Sequence, residues 1–485
     1  MSYFVRDNEK KTLAIMFFFS LVFIYPLMHY GLYFRDDLHR SINGYYGWGV
    51  LGRPLADIVI MLASSSGDKL LDIFPYNLII SAFFIALACL YLQRFLLQKG
   101  VPSATFCASL IIFNPYFLQN FAYRFDSLGM SLALLLSLCS YTYSHANIYI
   151  STASKIAMGV ASLSLYQPCA NIYIGLIAVE SASLLINSRS TLKIFAKTIF
   201  LRCVVFISYY IIYYISVANI WGASNKRAQL ISLDHKGIDQ AFGTFHRINS
   251  LIEQFITGHT IYYFLIPLFF VLMAIIKSLY IDRDSLFFRL LTIATIIFSL
   301  YISLPGPTIL LADAPVFPRT FVSFSCSFVV LAILISYLSV KIKFIALIPI
   351  VTVLSFSAQM SNALNAQREF EDYVISMVAH DLINIEGIKQ INTVGKIRLN
   401  KRAELLANDR PLIYHSVSRS SEFLITYQMV NKGLIGVSEG YGIESKNKDM
   451  ALSFKKEGIL PLIKNIEYSI YIKDGIAVVV FDNAI

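Results

Sequence analysis

Phe34-Arg35-Asp36-Asp37-Leu38-His39-Arg40 is the densest run of polar chemistry in the chain. Two adjacent carboxylates beside two arginines and a histidine can keep one carboxylate ionised, ready to take a proton near a phosphate. The same run could instead be a solvated collar at a helix end. Metal binding by Asp36, Asp37 and His39 is the weaker chemistry, because a hard cation needs more oxygen ligands than this run supplies. Trp48 and Gly52-Arg53-Pro54-Leu55 follow closely and add an indole and another guanidinium.

A second group comprises Asn114-Pro115-Tyr116 and Tyr123-Arg124-Phe125-Asp126-Ser127. Charges in so short a connection between apolar runs are costly unless paired or used, and a local Arg124–Asp126 ion pair is the plain alternative. Further along stand Lys226, Arg227, Asp234, His235 and Lys236, then Asp313 and Pro318-Arg319-Thr320. Each alone reads as structural. As a set they offer a phosphate its partners, Arg124 and Arg319 first and the Lys226-Arg227 pair next, because the forked guanidinium matches phosphate oxygens. Glu180 lies inside an apolar run, where an ionised acid is expensive. It reads either as part of a proton or ion pathway or, more simply, as a side chain facing the protein interior.

The elements that must position these residues are membrane helices. The 485-residue chain is 56% hydrophobic and 14% charged, against about 25% charged in an ordinary soluble domain. Its apolar blocks are long enough to cross ~30 Å of hydrocarbon as helices and too long for barrel strands. About eleven spans are expected, near 13–33, 75–97, 101–119, 127–144, 153–168, 169–187, 198–220, 259–277, 288–304, 320–340 and 343–360. The first reads as a retained span and not a cleaved signal. Tyr166-Gln167-Pro168 separates the fifth from the sixth, and reading that pair as one tilted helix would reverse everything downstream.

Net charge is +10, yet residues 361–485 hold 15 basic and 15 acidic side chains, so the excess lies among the spans. That distribution suits basic loops that set topology and shows no nucleic-acid motif. Six cysteines, all in or beside apolar runs, offer neither a disulfide framework nor a zinc site. Lys and Arg in short connections, from Arg6, Lys10 and Lys11 to Lys341 and Lys343, mark the cytoplasmic side. The longer loops at about 34–74, 221–258 and 305–319 then lie outside, together with the tail from Ser361. The tail reads as α/β: strands at Ile391–Ile397 and Leu412–Val417, a helix at Ser421–Asn431, and a hairpin of Tyr468–Lys473 and Ile476–Phe481 turned at Asp474-Gly475. No internal repeat is present, which weakens a transporter built from inverted halves.

An outer first loop with an acidic pair, basic outer helix ends, many spans and an outer C-terminal domain resemble the GT-C class of membrane glycosyltransferases. More closely, Phe34 to Arg40, Gly52-Arg53-Pro54-Leu55, Asn114-Pro115-Tyr116, Arg124-Phe125-Asp126-Ser127 and Leu165-Tyr166-Gln167-Pro168 resemble the bacterial and prophage Gtr-type glucosyltransferases that modify lipopolysaccharide O-antigen. The resemblance covers the N-terminal half best.

It implies an all-α polytopic, GT-C-like catalytic domain over residues 1–360 and a periplasmic α/β domain over 361–485, in the bacterial inner membrane. The implied reaction moves glucose from undecaprenyl phosphate glucose to lipid-linked O-antigen at the periplasmic face, without a cofactor. Asp36 or Asp37 takes the position of the catalytic base, and the sequence does not choose between them. Donor phosphate contacts are expected from Arg124, Arg319, Lys226 and Arg227, and other substrate contacts from Arg35, His39, Arg40, Arg53, Asp126, Gln167 and His235. An O-antigen ligase or polymerase would instead lean on outer-loop arginine and histidine. A transporter or flippase would need polar groups converging at mid-membrane, where Glu180 is the candidate.

Overall fold

Backbone polar groups have no partner in hydrocarbon, so apolar runs of this length fold as helices. The computed structural model describes residues 5–187, 191–222, 230–232, 234–281, 286–417 and 419–482. Among the described residues, seven helices are long and apolar enough to cross a membrane: Asp7–Tyr30, Tyr76–Gln98, Ile148–Leu165, Gln167–Leu185, Leu192–Trp221, Thr260–Tyr280 and Val340–Ile383. Pro54–Ala63, Ser127–Thr142, Leu286–Ile302 and Val322–Leu338 are apolar but shorter. The chain is thus a mostly helical, polytopic protein, and these helices do not confirm the exact count of eleven spans.

The expected span at 101–119 is broken. It consists of a helix Ala104–Ser109, one 3-10 turn at Leu110–Ile112 and, after a gap, the short helix Leu118–Ala122. Pro115 has no N–H to continue a helix. Asn114 caps the break by accepting from the Tyr116 and Phe117 amides and donating to the carbonyls of Phe321 and Val322. Irregular backbone is tolerated there because the segment is buried within the protein. The break at Tyr166-Gln167-Pro168 is present: Ile148–Leu165 ends, and a 3-10 turn at Gln167–Ala170 leads into Asn171–Leu185.

The middle loop, expected to be irregular, contains the helix His235–Phe255. Asp234 caps it through the Gly237 amide, 2.9 Å away. Thr244, Ile248, Leu251 and Phe255 form its buried stripe at helical spacing.

Contacts divide the chain into two units: Met1–Gly31, Tyr46–Asp68 and Asp72–Ala358 in the first, and Leu32–Tyr45, Lys69–Leu71 and Gln359–Ile485 in the second. In the first unit, Tyr76–Gln98 packs on Asp7–Tyr30 and on Ser127–Thr142. Glu180 there is sealed by cations: Lys99 Nζ stands at 2.6 Å and Arg202 Nε at 2.8 Å, and the Tyr141 hydroxyl donates to it. This is the interior-facing arrangement. Removing one partner of a buried ionic group strands the others, so Glu180→Ala is expected to cost about 3–5 kcal/mol. The readout is the thermal midpoint of the detergent-purified protein, and an unchanged midpoint would show that the cluster carries no stability.

The second unit carries a four-stranded sheet, β1 Gln390–Val394, β2 Ile463–Lys464, β3 Tyr468–Lys473 and β4 Ile476–Phe481, in the order β1-β4-β3-β2. β1 runs parallel to β4, and the other pairs are antiparallel. Asp474 and Gly475 both have positive φ, 51° and 77°, as a type I′ turn requires. Val374, Ile375 and Val378 of the helix Ile348–Ile383 pack with Ile425 against Ile391, Ile470 and Val479. Ala451 and Phe454 of the helix Glu444–Lys456 cluster with Val478 and Val480. Leu412–Val417, expected as a strand, is instead a 3-10 turn at Pro411–His415, opened by Pro411 in its first position.

Candidate functional site

Three candidate residues of the first unit, Gln167, Asp126 and Arg319, gather around Arg53. Gly52 has φ 75°, and a Cβ there would stand 2.6 Å from the Tyr213 hydroxyl, so only glycine allows this approach. That hydroxyl donates to the Gly52 carbonyl. Pro54 starts the helix Pro54–Ala63, which leaves Arg53 at its mouth. The Arg53 guanidinium lies over the Tyr166 ring, 4.7 Å from its centroid, and donates to Gln167 Oε1. Gln167 in turn donates to Leu51 O and to the Tyr213 hydroxyl.

Asp126 and Arg319 are close enough to act on Arg53 electrostatically. The Tyr166 hydroxyl reaches the Arg319 carbonyl, and the Arg319 guanidinium donates to the Tyr123 hydroxyl and lies over the Tyr123 ring. Asp126 accepts from the Trp48 indole at 2.6 Å. Trp48 is placed by Asp57, whose carboxylate accepts the amides of Gly47, Trp48 and Gly49. Arg53 and Arg319 are both half-buried. Arg53 and Arg319 bring two forked guanidiniums to a cluster that also holds the carboxylates of Asp126 and Asp57, and such forks match phosphate oxygens.

Arg124 has a different setting. It pairs with Asp72 Oδ2 at 2.6 Å, donates to the Gly31 carbonyl and lies over the Phe74 ring. The Asn77 amide donates to its carbonyl. These internal partners make Arg124 a latch between chain segments, so the expectation that it meets a donor phosphate is not carried forward.

The second unit holds the acidic pair and separates its members by burial. Asp37 is fully buried, and its Oδ2 accepts the Phe34 amide at 3.0 Å, closing the turn into the helix Asp37–Asn43. Asp36 is 38% exposed at the side chain and pairs with Arg40 Nε at 3.2 Å. Arg35 adopts φ 52° and donates to the His415 carbonyl. His39 stacks on Tyr427 at 4.1 Å, meets Phe423 edge-on and bonds the Tyr45 hydroxyl through Nδ1. Burial pushes its pKa below the ordinary histidine value, more than Asp36 and Glu439 pull it up, so the ring is neutral at pH 7.

His235 is exposed at the first position of its helix. Lys226 and Arg227 lie outside the described residues. No group of three or more His, Cys, Asp or Glu side chains able to hold a metal occurs among the described residues. Sequence reasoning passed over Asp57, Asp72 and Tyr213, and it quoted Tyr123 without giving it a role. Asp57, in the first turn of a proline-started helix, carried a signal, since an acid there favours nearby amides. The tyrosines carried none, because their roles come from partners distant in sequence.

Buried and half-buried ionic clusters sit on a polytopic helical scaffold with several helices apolar enough to cross a membrane. A family model described as glucosyl transferase GtrII matches residues 25–336, and the chain belongs to that family. It is a glycosyltransferase. It is also similar, at 25% identity over 484 residues, to an uncharacterized 55.3 kDa protein from the gtrB 5′ region of Salmonella phage P22, an alignment covering 93% of this chain and 96% of the phage protein. No solved structure matches the chain.

Proposed function

We propose that this glycosyltransferase moves glucose from undecaprenyl phosphate glucose to a sugar of lipid-linked O-antigen at the periplasmic face of the bacterial inner membrane. Membership of the GtrII family over residues 25–336 carries this reading. Within the first unit, the forked guanidiniums of Arg53 and Arg319 support it as groups suited to a donor phosphate, with Gln167 accepting from Arg53. In the second unit, Arg40 pairs with the carboxylate of Asp36 and His39 is close enough to feel it, and Asp36 takes the role of base.

In the proposed step, the acceptor hydroxyl oxygen attacks the glucose anomeric carbon while the bond from that carbon to the phosphate oxygen breaks. Undecaprenyl phosphate leaves as a stable anion and needs cations more than a proton. The hydroxyl proton passes to Asp36. One displacement inverts the anomeric configuration, and neither a second carboxylate nor a cofactor is required.

The test is transfer by the purified full chain from undecaprenyl phosphate glucose to lipid-linked O-antigen isolated from cells lacking this protein. Absence of a glucosylated product would overturn the reading. Topology has its own test. Ser445 is exposed in the second unit, and the basic short connections favour a periplasmic position for that unit. A cysteine introduced there is expected to react with an impermeant thiol reagent in intact spheroplasts. Labelling that appears only after the inner membrane is opened would reverse the orientation.

A further inference from the structure

We propose that the outer rings of a ladder on the second unit, the exposed Tyr441 and the half-buried Phe423, backed by the buried Tyr427 and by His39 and Tyr45, form a binding platform for the sugar chain of the acceptor. This inference rests on the reading of the protein as a glucosyltransferase acting on a polysaccharide.

The rings form one continuous run. His39 meets Tyr45 at 4.7 Å, Tyr427 at 4.1 Å and Phe423 at 5.5 Å between centroids. Phe423 meets both Tyr427 and Tyr441 at 5.5 Å. The outer end is open: Tyr441 is 76% exposed. It is held between Gly440 and Gly442, both at φ 73°, so its backbone is bracketed by residues that adopt the left-handed region without strain. A large ring displayed this way loses the benefit of burial unless something covers it.

The polar groups beside the rings narrow what that cover is. Glu439 acts electrostatically on His39 and Tyr427, and the Asn43 side chain bonds the Tyr427 hydroxyl. An anionic headgroup is disfavoured by that carboxylate, and an acyl chain gains nothing from a carboxylate and an amide. A pyranose uses all of these groups. Its weakly positive C–H face lies on the negative face of an aromatic ring, and its hydroxyls donate to a carboxylate and bond an amide. The ladder also begins within a helical turn of Asp36, because His39 lies on the helix that Asp36 caps. A glycan laid along the rings therefore ends near the carboxylate proposed as base.

The experiment uses the full-length purified chain and two readouts. The first is the affinity for lipid-free O-polysaccharide from cells lacking this protein, measured by calorimetry. The second is glucosyl transfer to the lipid-linked form. Tyr441→Ala is expected to weaken polysaccharide binding about ten-fold or more and to raise the acceptor KM similarly, with kcat and donor KM within about two-fold. Tyr441→Phe keeps the ring and is expected to retain wild-type affinity. Phe423→Ala, checked for an unchanged thermal midpoint, is expected to follow Tyr441→Ala.

Wild-type affinity and acceptor KM in Tyr441→Ala would overturn the platform, and continued transfer by that variant would leave the glucosyltransferase reading standing. Polysaccharide binding that depends on Tyr441 in a chain unable to transfer glucose would overturn that reading and keep the platform. A wild-type chain that transfers glucose but shows no polysaccharide affinity, or one that does neither, would also overturn the platform.

Discussion

Asp36→Asn is expected to lower glucosyl transfer about 10²–10⁴-fold, the usual contribution of a positioned base, while the lipid donor still binds. A sugar hydroxyl is a poor nucleophile at neutral pH, so the transition state depends on a group that accepts its proton as the new bond forms. Of the adjacent acids, Asp36 is the one a substrate can reach. Its side chain is 38% exposed, and Arg40 Nε holds it in place at 3.2 Å.

Asp37 is fully buried and holds the Phe34 amide. Asp37→Ala should therefore appear first as lost stability, about 1.5–3 kcal/mol for a hydrogen bond to a charged group. Turnover of each variant with purified undecaprenyl phosphate glucose, together with the anomeric configuration of the product by NMR, distinguishes the roles. Near-normal turnover in Asp36→Asn would remove the proposed base, and a product that keeps the donor's configuration would exclude a single displacement.

The second large effect is expected at Arg53 and Arg319. Lysine keeps the charge at either position but loses the planar fork and the stacking on Tyr166 or Tyr123. At a half-buried site that loss should amount to about 1.5–3 kcal/mol, or roughly a ten- to hundred-fold rise in donor KM. Arg53→Lys should be the more severe, because it also removes the bond that orients Gln167. Initial rates against donor concentration, at fixed acceptor, measure the effect. If both variants show the wild-type dependence on lipid donor, the cluster is structural and the phosphate is held elsewhere.

Arg124→Lys provides the contrast. The ion pair with Asp72 and the stacking on Phe74 make it a stability variant, so its thermal midpoint should fall while the donor KM holds.

Several parts of this architecture were legible in the residue order because their causes are local. Apolar runs of span length specify helices, since hydrocarbon leaves backbone groups no other partner. Asp474-Gly475 between two β-branched runs specifies a tight hairpin, and both residues take the positive φ that turn requires. Pro168 marks a real interruption because it cannot donate to a helix, and Pro115 carried the same signal although the span expected at 101–119 ran through it. The stripe of Thr244, Ile248, Leu251 and Phe255 was legible too, but it is easily missed where polar residues dilute the average hydropathy of a loop.

What tertiary structure decided is which polar groups meet. Arg124 finds Asp72, 52 positions away, and Trp48 finds Asp126, 78 positions away. Arg53 finds Gln167 across 114 positions, and Arg319 finds Tyr123 across 196. No local pattern encodes such pairings, because they arise from how whole helices pack. The same holds for Asp36 and Asp37, which are chemically identical neighbours in the sequence. Only the fold buries one against its own backbone and leaves the other half open, and a carboxylate must be both ionised and reachable to act as a base.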